Sequence, residues 1–172
     1  NCDVMIAEAC VKGIEGVDYK KALQLMLHAA NTEPDKPRLY GRGGISYYNA
    51  MGYIPYSVER SGSRQVEYAY CDYAIAKVAE QLGQHEIATE YFERSSRWMN
   101  LWNSTAEHDG FSGFVWPKDE NGEWLGDYNP LKLSVWNGVF YEGSSWQYSL
   151  YVPHDVAKLI EMCGGKERFV ER

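Results

Sequence analysis

The stretch Phe140–Asp155, FYEGSSWQYSLYVPHD, sets one acidic residue, Glu142, against a glycine and a dense run of aromatic and hydroxyl side chains. A carboxyl group walled by rings such as Tyr141 and Trp146 keeps its proton near neutral pH, because desolvation disfavours the charged form. Such an acid can protonate a departing oxygen. Trp146 offers a ring face to the C–H surface of a sugar, Gln147 an amide to its hydroxyls, and Tyr141 both an apolar face and a polar tip. Glu142 also fits a surface or helix N-terminal carboxylate, favoured there by the helix dipole. Taken alone, Trp146 and Tyr148 fit core packing better than ligand contact.

Two further groups carry chemistry-bearing side chains. His154 and Asp155 have the composition of a dyad, but adjacent residues seldom face one target, and Asp155 suits a helix N-cap. Glu67 and Asp72 share one helical segment, and they fit a site or a buried hydrogen-bond network equally well.

These groups are carried by helices. Val4, Ala7, Val11 and Ile14 recur at helical spacing before Gly13 and Gly16, and Asp18 caps a second helix striped by Tyr19, Ala22, Leu23, Met26, Leu27 and Ala30. The pair reads as an antiparallel hairpin. Residues 31–62 carry Pro34, Pro37, Pro55 and the GRGG run, and read as a long loop with a short helix near Ser46–Met51. The GRGG run lacks the strand before and the Lys-Ser/Thr after that a phosphate loop needs, so it is a turn. Ala69, Tyr73, Ala76, Ala79 and Leu82 form a third stripe. After Gly83, a fourth is formed by Ala88, Tyr91, Ser95, Trp98 and Trp102. Residues 104–136 are irregular, with a hairpin expected at Asn121-Gly122 presenting Trp116 and Trp124. Short helices are expected over 144–151 and 155–163, separated by Pro153 and stopped by Gly164-Gly165. The class is all-α: helical hairpins with long, aromatic-rich loops.

With 172 residues, the chain can form one domain or part of a larger one. Its net charge of −7 argues against a nucleic-acid partner, which needs clustered Lys and Arg. No apolar run approaches the roughly 20 residues of a membrane span. The cysteines Cys2, Cys10, Cys71 and Cys163 show no metal-finger spacing and are expected as buried free thiols. The chain opens at Asn1 directly into a helical pattern and reads as a piece cut from something longer.

Three stretches in order carry a resemblance: VMIAEACVKGIEGVDYKKALQLMLHAA, GYIPYSVERSGSRQVEYAYCDYAIAKVAEQLG and YEGSSWQYSLYVPHDVAKLIEMCGGKERFVER. The last is similar to the EGNAWQY…VPHD signature of glycoside hydrolase family 92, the calcium-dependent exo-acting α-mannosidases. The second is similar to that family's GYIP…SVS…LEYAYDDW segment. The resemblance implies a β-sandwich followed by a six-hairpin α/α barrel, with residues 1–172 as a central piece of the barrel. It implies an inverting enzyme with Glu142 as general acid, Tyr141, Trp146 and Gln147 near the substrate, and a mannose-containing glycan as partner. It further implies an extracellular or periplasmic location. The family's base segment, GNDDxGxMSAW, and its calcium-centred GNEP motif do not occur in these residues. Calcium is therefore expected in the full-length enzyme and not in this chain alone, and the isolated chain is expected to be inactive. Exposed barrel faces are expected to favour self-association.

Ser-Ser-Trp replaces the more usual Asn-Ala-Trp, Cys71 stands where Asp is common, and Trp116 stands where an arginine is common. These departures touch subsite identity and leave the acid in place. Two other classes remain open. The helix pair around Gly83 has the look of a tetratricopeptide unit, although no period of ~34 residues recurs. Another α/α-barrel carbohydrate enzyme would share the hairpins without the motifs.

Overall fold

A computed structural model describes residues 2–172. The backbone divides into two compact units: residues up to Gly52 with Glu67–Arg97, and Tyr53–Val66 with Trp98–Arg172.

The first unit is helical. Helix α1, Cys2–Val11, ends at Gly13 (φ 68°), where the Ile14 N–H donates back to the Ala9 carbonyl. Glycine serves here because the left-handed turn that closes the helix costs other residues strain. Helix α2, Tyr19–Asn31, begins as expected at Asp18, whose carboxylate accepts from the Lys21 N–H at 3.0 Å. Leu23, Met26 and Ala30 of α2 are buried against Ala7 and Cys10 of α1 and a run of α4, Ala74–Ala79. Small alanines on that run let the helices approach closely while Leu, Met and Ile fill the gaps. The short helix near residue 46 is α3, Ile45–Met51. The Glu33 carboxylate accepts from Gly44 N (2.7 Å), Ser46 N (3.0 Å) and Ser46 Oγ (3.1 Å). Gly44 of the GRGG run and Ser46 of α3 thus hand their amides to an internal acid at the helix start.

Helix α4, Ser61–Gln81, contributes to both units, and α5 is His85–Ser95. In the first unit α4 carries Asp72, fully buried. Its carboxylate accepts from Arg42 Nη1 at 2.7 Å, Tyr48 Oη at 3.0 Å and Arg94 Nε at 3.2 Å. Burial is the largest single influence on Arg42 and works to lower its pKa, but Asp72, Cys71 and Asp3 together outweigh it and the net shift is upward. Burial, reinforced by the Asp72 carboxylate, pushes the Tyr48 hydroxyl well above its usual range. Of the two readings of Asp72, the network is the one observed.

The second unit corrects the all-α expectation. Helix α5 stops at Ser95, a 3-10 turn covers Ser96–Leu101, and Trp102 opens a strand rather than continuing the helical stripe. Strands β1, Trp102–His108, and β2, Phe111–Val115, pair antiparallel, with His108 opposite Phe111. The turn between them is Asp109-Gly110, both left-handed (φ 52° and 75°), a pairing that matches the twist of the strands. The expected turn at Asn121-Gly122 closes only an isolated bridge, Lys118 with Trp124. Helices α6, Ser145–Tyr148, and α7, Val156–Met162, agree with the expected segments, and α8, Lys166–Glu171, follows Gly165. Asp155 occupies the N-cap of α7, yet its carboxylate accepts from the Trp98 indole at 3.3 Å rather than from the helix. All four cysteines are free, three buried as expected and Cys2 exposed.

Candidate functional site

Glu142 lies in the second unit on a turn between the 129–141 loop and α6. Its backbone is left-handed, φ 48°. For a residue with a Cβ this conformation costs of order 1–3 kcal/mol, and it persists only where the surroundings dictate it. The carboxylate is exposed.

The surroundings that dictate the turn begin at the start of α4. The first amides of a helix lack partners inside it. Here Arg60 N donates to Gly138 O at 2.6 Å and Gly62 N to Val139 O at 2.9 Å, so the 138–141 chain lies across the helix start. Only glycine fits at 62: a Cβ there would lie 2.5 Å from Cε1 of the buried Phe140. Ser63 Oγ then accepts from the Tyr141 N–H at 2.7 Å.

Helix α6 holds the other side. Ser145 Oγ donates to Val115 O at 2.6 Å, and Ser149 Oγ accepts from Val115 N at 2.8 Å. These two fully buried hydroxyls complete the hydrogen bonding of the last residue of β2. The Gln147 side-chain oxygen Oε1 accepts from Ser144 N at 3.0 Å, closing a capping box over the helix start. The density of hydroxyls after Glu142 therefore has a structural cause.

The sequence-predicted contacts separate into two groups. Trp146 is half-buried among Phe114 (ring centroids 5.1 Å), Phe111 (5.6 Å) and His108 (5.9 Å), with its indole N–H donated to His108 Nδ1 at 3.0 Å. Arg172 covers its ring at 5.1 Å. Tyr141 is half-buried, and its ring meets Trp136 edge to face at 5.3 Å. Trp136 is 59% exposed. It was missed in the sequence because it stands outside any periodic stripe, and an irregular loop gives a lone Trp no signal. Gln147 is exposed, with its oxygen committed to the capping box. Trp116, standing in the arginine position, is buried and donates its indole N–H to Leu125 O at 2.9 Å.

Beside the turn, a cavity of about 300 Å³ is lined by Tyr56, Glu59, Tyr128, Lys132, Ser134 and Asn137. Ser134 joins cavity and turn, since its N–H donates to Gly143 O at 3.2 Å. Burial pushes the Tyr128 hydroxyl up to about 12, so it stays a neutral donor or acceptor. Rings interleaved with hydroxyl, amide and charged groups suit a polyhydroxylated ligand.

Among the described residues no three His, Cys, Asp or Glu side chains gather as a metal site. No helix among them is long and apolar enough to cross a membrane.

Comparison with known proteins bears on this geometry. The profile of the glycosyl hydrolase family 92 catalytic domain matches residues 1–172. An uncharacterized secreted glycosidase of Arthroderma benhamiae is 34% identical, the match covering all of this chain and 25% of that protein. An inverting family 92 mannosidase of Bacteroides thetaiotaomicron superposes with a TM-score of 0.88 at 36% identity, over 98% of this chain and 22% of its own. An α-mannosidase of the same family and organism, solved with mannoimidazole, superposes with a TM-score of 0.84 at 28% identity, over 99% of this chain and 21% of its own. The chain thus spans about a quarter or less of the length of these relatives. With the family profile covering it from end to end, the chain belongs to the catalytic domain of glycoside hydrolase family 92.

Proposed function

We propose that this chain is a central piece of the α/α-barrel domain of an inverting exo-α-mannosidase and supplies its general acid, Glu142. One observation carries the reading: the likeness in fold and sequence to a solved inverting mannosidase, TM-score 0.88 at 36% identity. In the full-length enzyme a β-sandwich precedes these residues and the rest of the barrel follows them.

Inversion needs two carboxyl groups on opposite faces of the sugar, about 6.5–9.5 Å apart to admit the attacking water. Glu142 gives its proton to the glycosidic oxygen as the C–O bond breaks. A second carboxylate from outside these residues takes a proton from water as the new bond forms. Glu142 is exposed on this chain. The groups that surround it during proton transfer are therefore assigned to parts of the full-length enzyme outside these residues. Tyr141, with Trp136 against it, offers a stacking surface, and Gln147 offers polar contact to sugar hydroxyls. Trp146, proposed from the sequence as a substrate contact, has its indole N–H and much of its ring committed. We assign it to holding α6, with any substrate contact limited to what remains of the ring. The cavity beside Ser134 is the natural place for the departing sugar.

Calcium, when bound, supplies positive charge and ligand positions for sugar hydroxyls. Its donors are assigned outside this chain, as is the base. Export from the cytoplasm follows the description of the A. benhamiae relative as secreted. Exposed Leu131, Leu133 and Val135 leave an apolar strip through which the isolated chain would self-associate.

The test is the anomer first released. Proton NMR of an α-mannoside treated with the full-length enzyme should show β-mannose before mutarotation, and the isolated 172-residue chain should release none. Release of α-mannose first would exclude inversion, and release of another sugar alone would exclude the substrate class.

A further inference from the structure

The geometry points to Tyr148 and Ser63 as positioning residues that set the direction of the acid. The inference rests on Glu142 acting as that acid. The φ of Glu142 is the rotation about its N–Cα bond, measured against the peptide that begins at the Tyr141 carbonyl. Tyr148 Oη donates to that carbonyl at 2.7 Å, fixing the plane of the peptide. One peptide earlier, the Tyr141 N–H is fixed by Ser63 Oγ at 2.7 Å. Two peptides later, both polar groups are held: Gly143 O accepts from Ser134 N at 3.2 Å, and Ser144 N donates to Gln147 Oε1 at 3.0 Å. Held peptides thus lie on both sides of Glu142, whose own backbone is left-handed, φ 48°.

Tyr148 also defines the floor of the turn. Its ring stacks on the buried Phe140 at 5.2 Å, 26° from parallel. A Cβ at position 143 would stand 2.8 Å from Tyr148 Cε2, so the residue after the acid has to be glycine. One side chain therefore excludes bulk beneath the turn and orients the peptide that leads into the acid. Ser63 ties the same turn to the first turn of α4, a 21-residue helix. A carboxyl mounted on a strained turn keeps its angle only while those bonds hold.

The consequence is specific to proton donation. A misplacement on the order of 1 Å can cost about 10²-fold in rate. The loss should fall on substrates whose leaving oxygen needs a proton and spare those whose leaving group departs unaided. Tyr148→Phe removes one hydroxyl, and Ser63→Ala removes one acceptor. Each is assayed in the full-length enzyme on an unactivated α-mannoside and on dinitrophenyl α-mannoside, with Glu142→Gln in parallel.

Each variant is expected to lower kcat on the unactivated substrate by about 10- to 100-fold, to lower it less than about threefold on the dinitrophenyl substrate, and to leave KM unchanged within about twofold. Equal losses on both substrates, tracking a fall in Tm, would mean that the bonds serve stability only and would overturn the inference. So would wild-type behaviour of both variants beside a selective loss in Glu142→Gln. If Glu142→Gln itself shows no selectivity, the assignment of the acid fails, and the inference falls with it. Should Tyr148→Phe not fold, Ser63→Ala decides by the same ratio.

Discussion

Glu142→Gln, made in the full-length enzyme, lowers kcat on unactivated α-mannosides by about 10²- to 10⁴-fold, the span general acid catalysis supplies. Glutamine keeps the shape of the side chain and a hydrogen-bonding tip but carries no transferable proton. KM should therefore change little, since ground-state contacts persist while the transition state loses its donor. The fold should not suffer either: the carboxylate is exposed and the turn is held by the side chains of Ser63 and Tyr148 bonded to the Tyr141 backbone. Steady-state kinetics on mannobiose beside thermal denaturation separates the two quantities. A variant with near-wild-type kcat on mannobiose would remove Glu142 from the role.

The second large effect is on stability. Asp72→Ala should cost about 3–5 kcal/mol, because it leaves buried charge without its counter-ion. Arg42 and Arg94, 6% and 8% exposed, both depend on that carboxylate, as does the hydroxyl of the fully buried Tyr48. Against a total stability of about 5–15 kcal/mol, the loss takes the protein to the edge of folding. Urea denaturation measures it, and a cost below about 1 kcal/mol would show that the arginines find other partners. Arg94 already reaches Asn49 Oδ1 at 3.0 Å and Asn31 Oδ1 at 3.2 Å. Among the described residues, the other carboxylate paired with Arg42 is Asp3, at the longer distance of 3.4 Å. Arg42 should therefore carry most of the penalty.

Much of the first unit was legible because its signals are local. Apolar spacing in α1 and α2 repeats at the helical period, and Asp18 marks a cap with a mechanism. Helix α4 was read to begin some eight residues late. Ser-Gly-Ser has the composition of a turn, and what makes those residues helical is the 138–141 chain packed across them, which no local pattern displays. The strand pair was hidden for a related reason. Trp98 and Trp102 carry the helical stripe seven residues past Ser95, so the period favours a helix where packing imposes a 3-10 turn and a strand. Two turn signals competed: Asn121-Gly122 was taken for the hairpin, while Asp109-Gly110 closes the paired strands.

For the candidate site, the motif located Glu142, but not the geometry around it. The left-handed backbone and the bond from Tyr141 to Ser63, 78 residues away in sequence, are products of tertiary structure. Ser145 and Ser149 of the motif are buried fasteners for β2, a role that only the position of Val115 reveals. The tetratricopeptide alternative rested on the α4–α5 pair alone. Membership of family 92 across the whole chain replaces it.

The account turns on where the Glu142 carboxyl meets the substrate. A crystal structure of the full-length enzyme with a non-hydrolysable α-mannoside measures this directly. The account predicts a Glu142 oxygen about 2.6–3.2 Å from the atom that replaces the glycosidic oxygen, with water excluded around the pair. A carboxyl left in open solvent, beyond reach of the bound sugar, would contradict it.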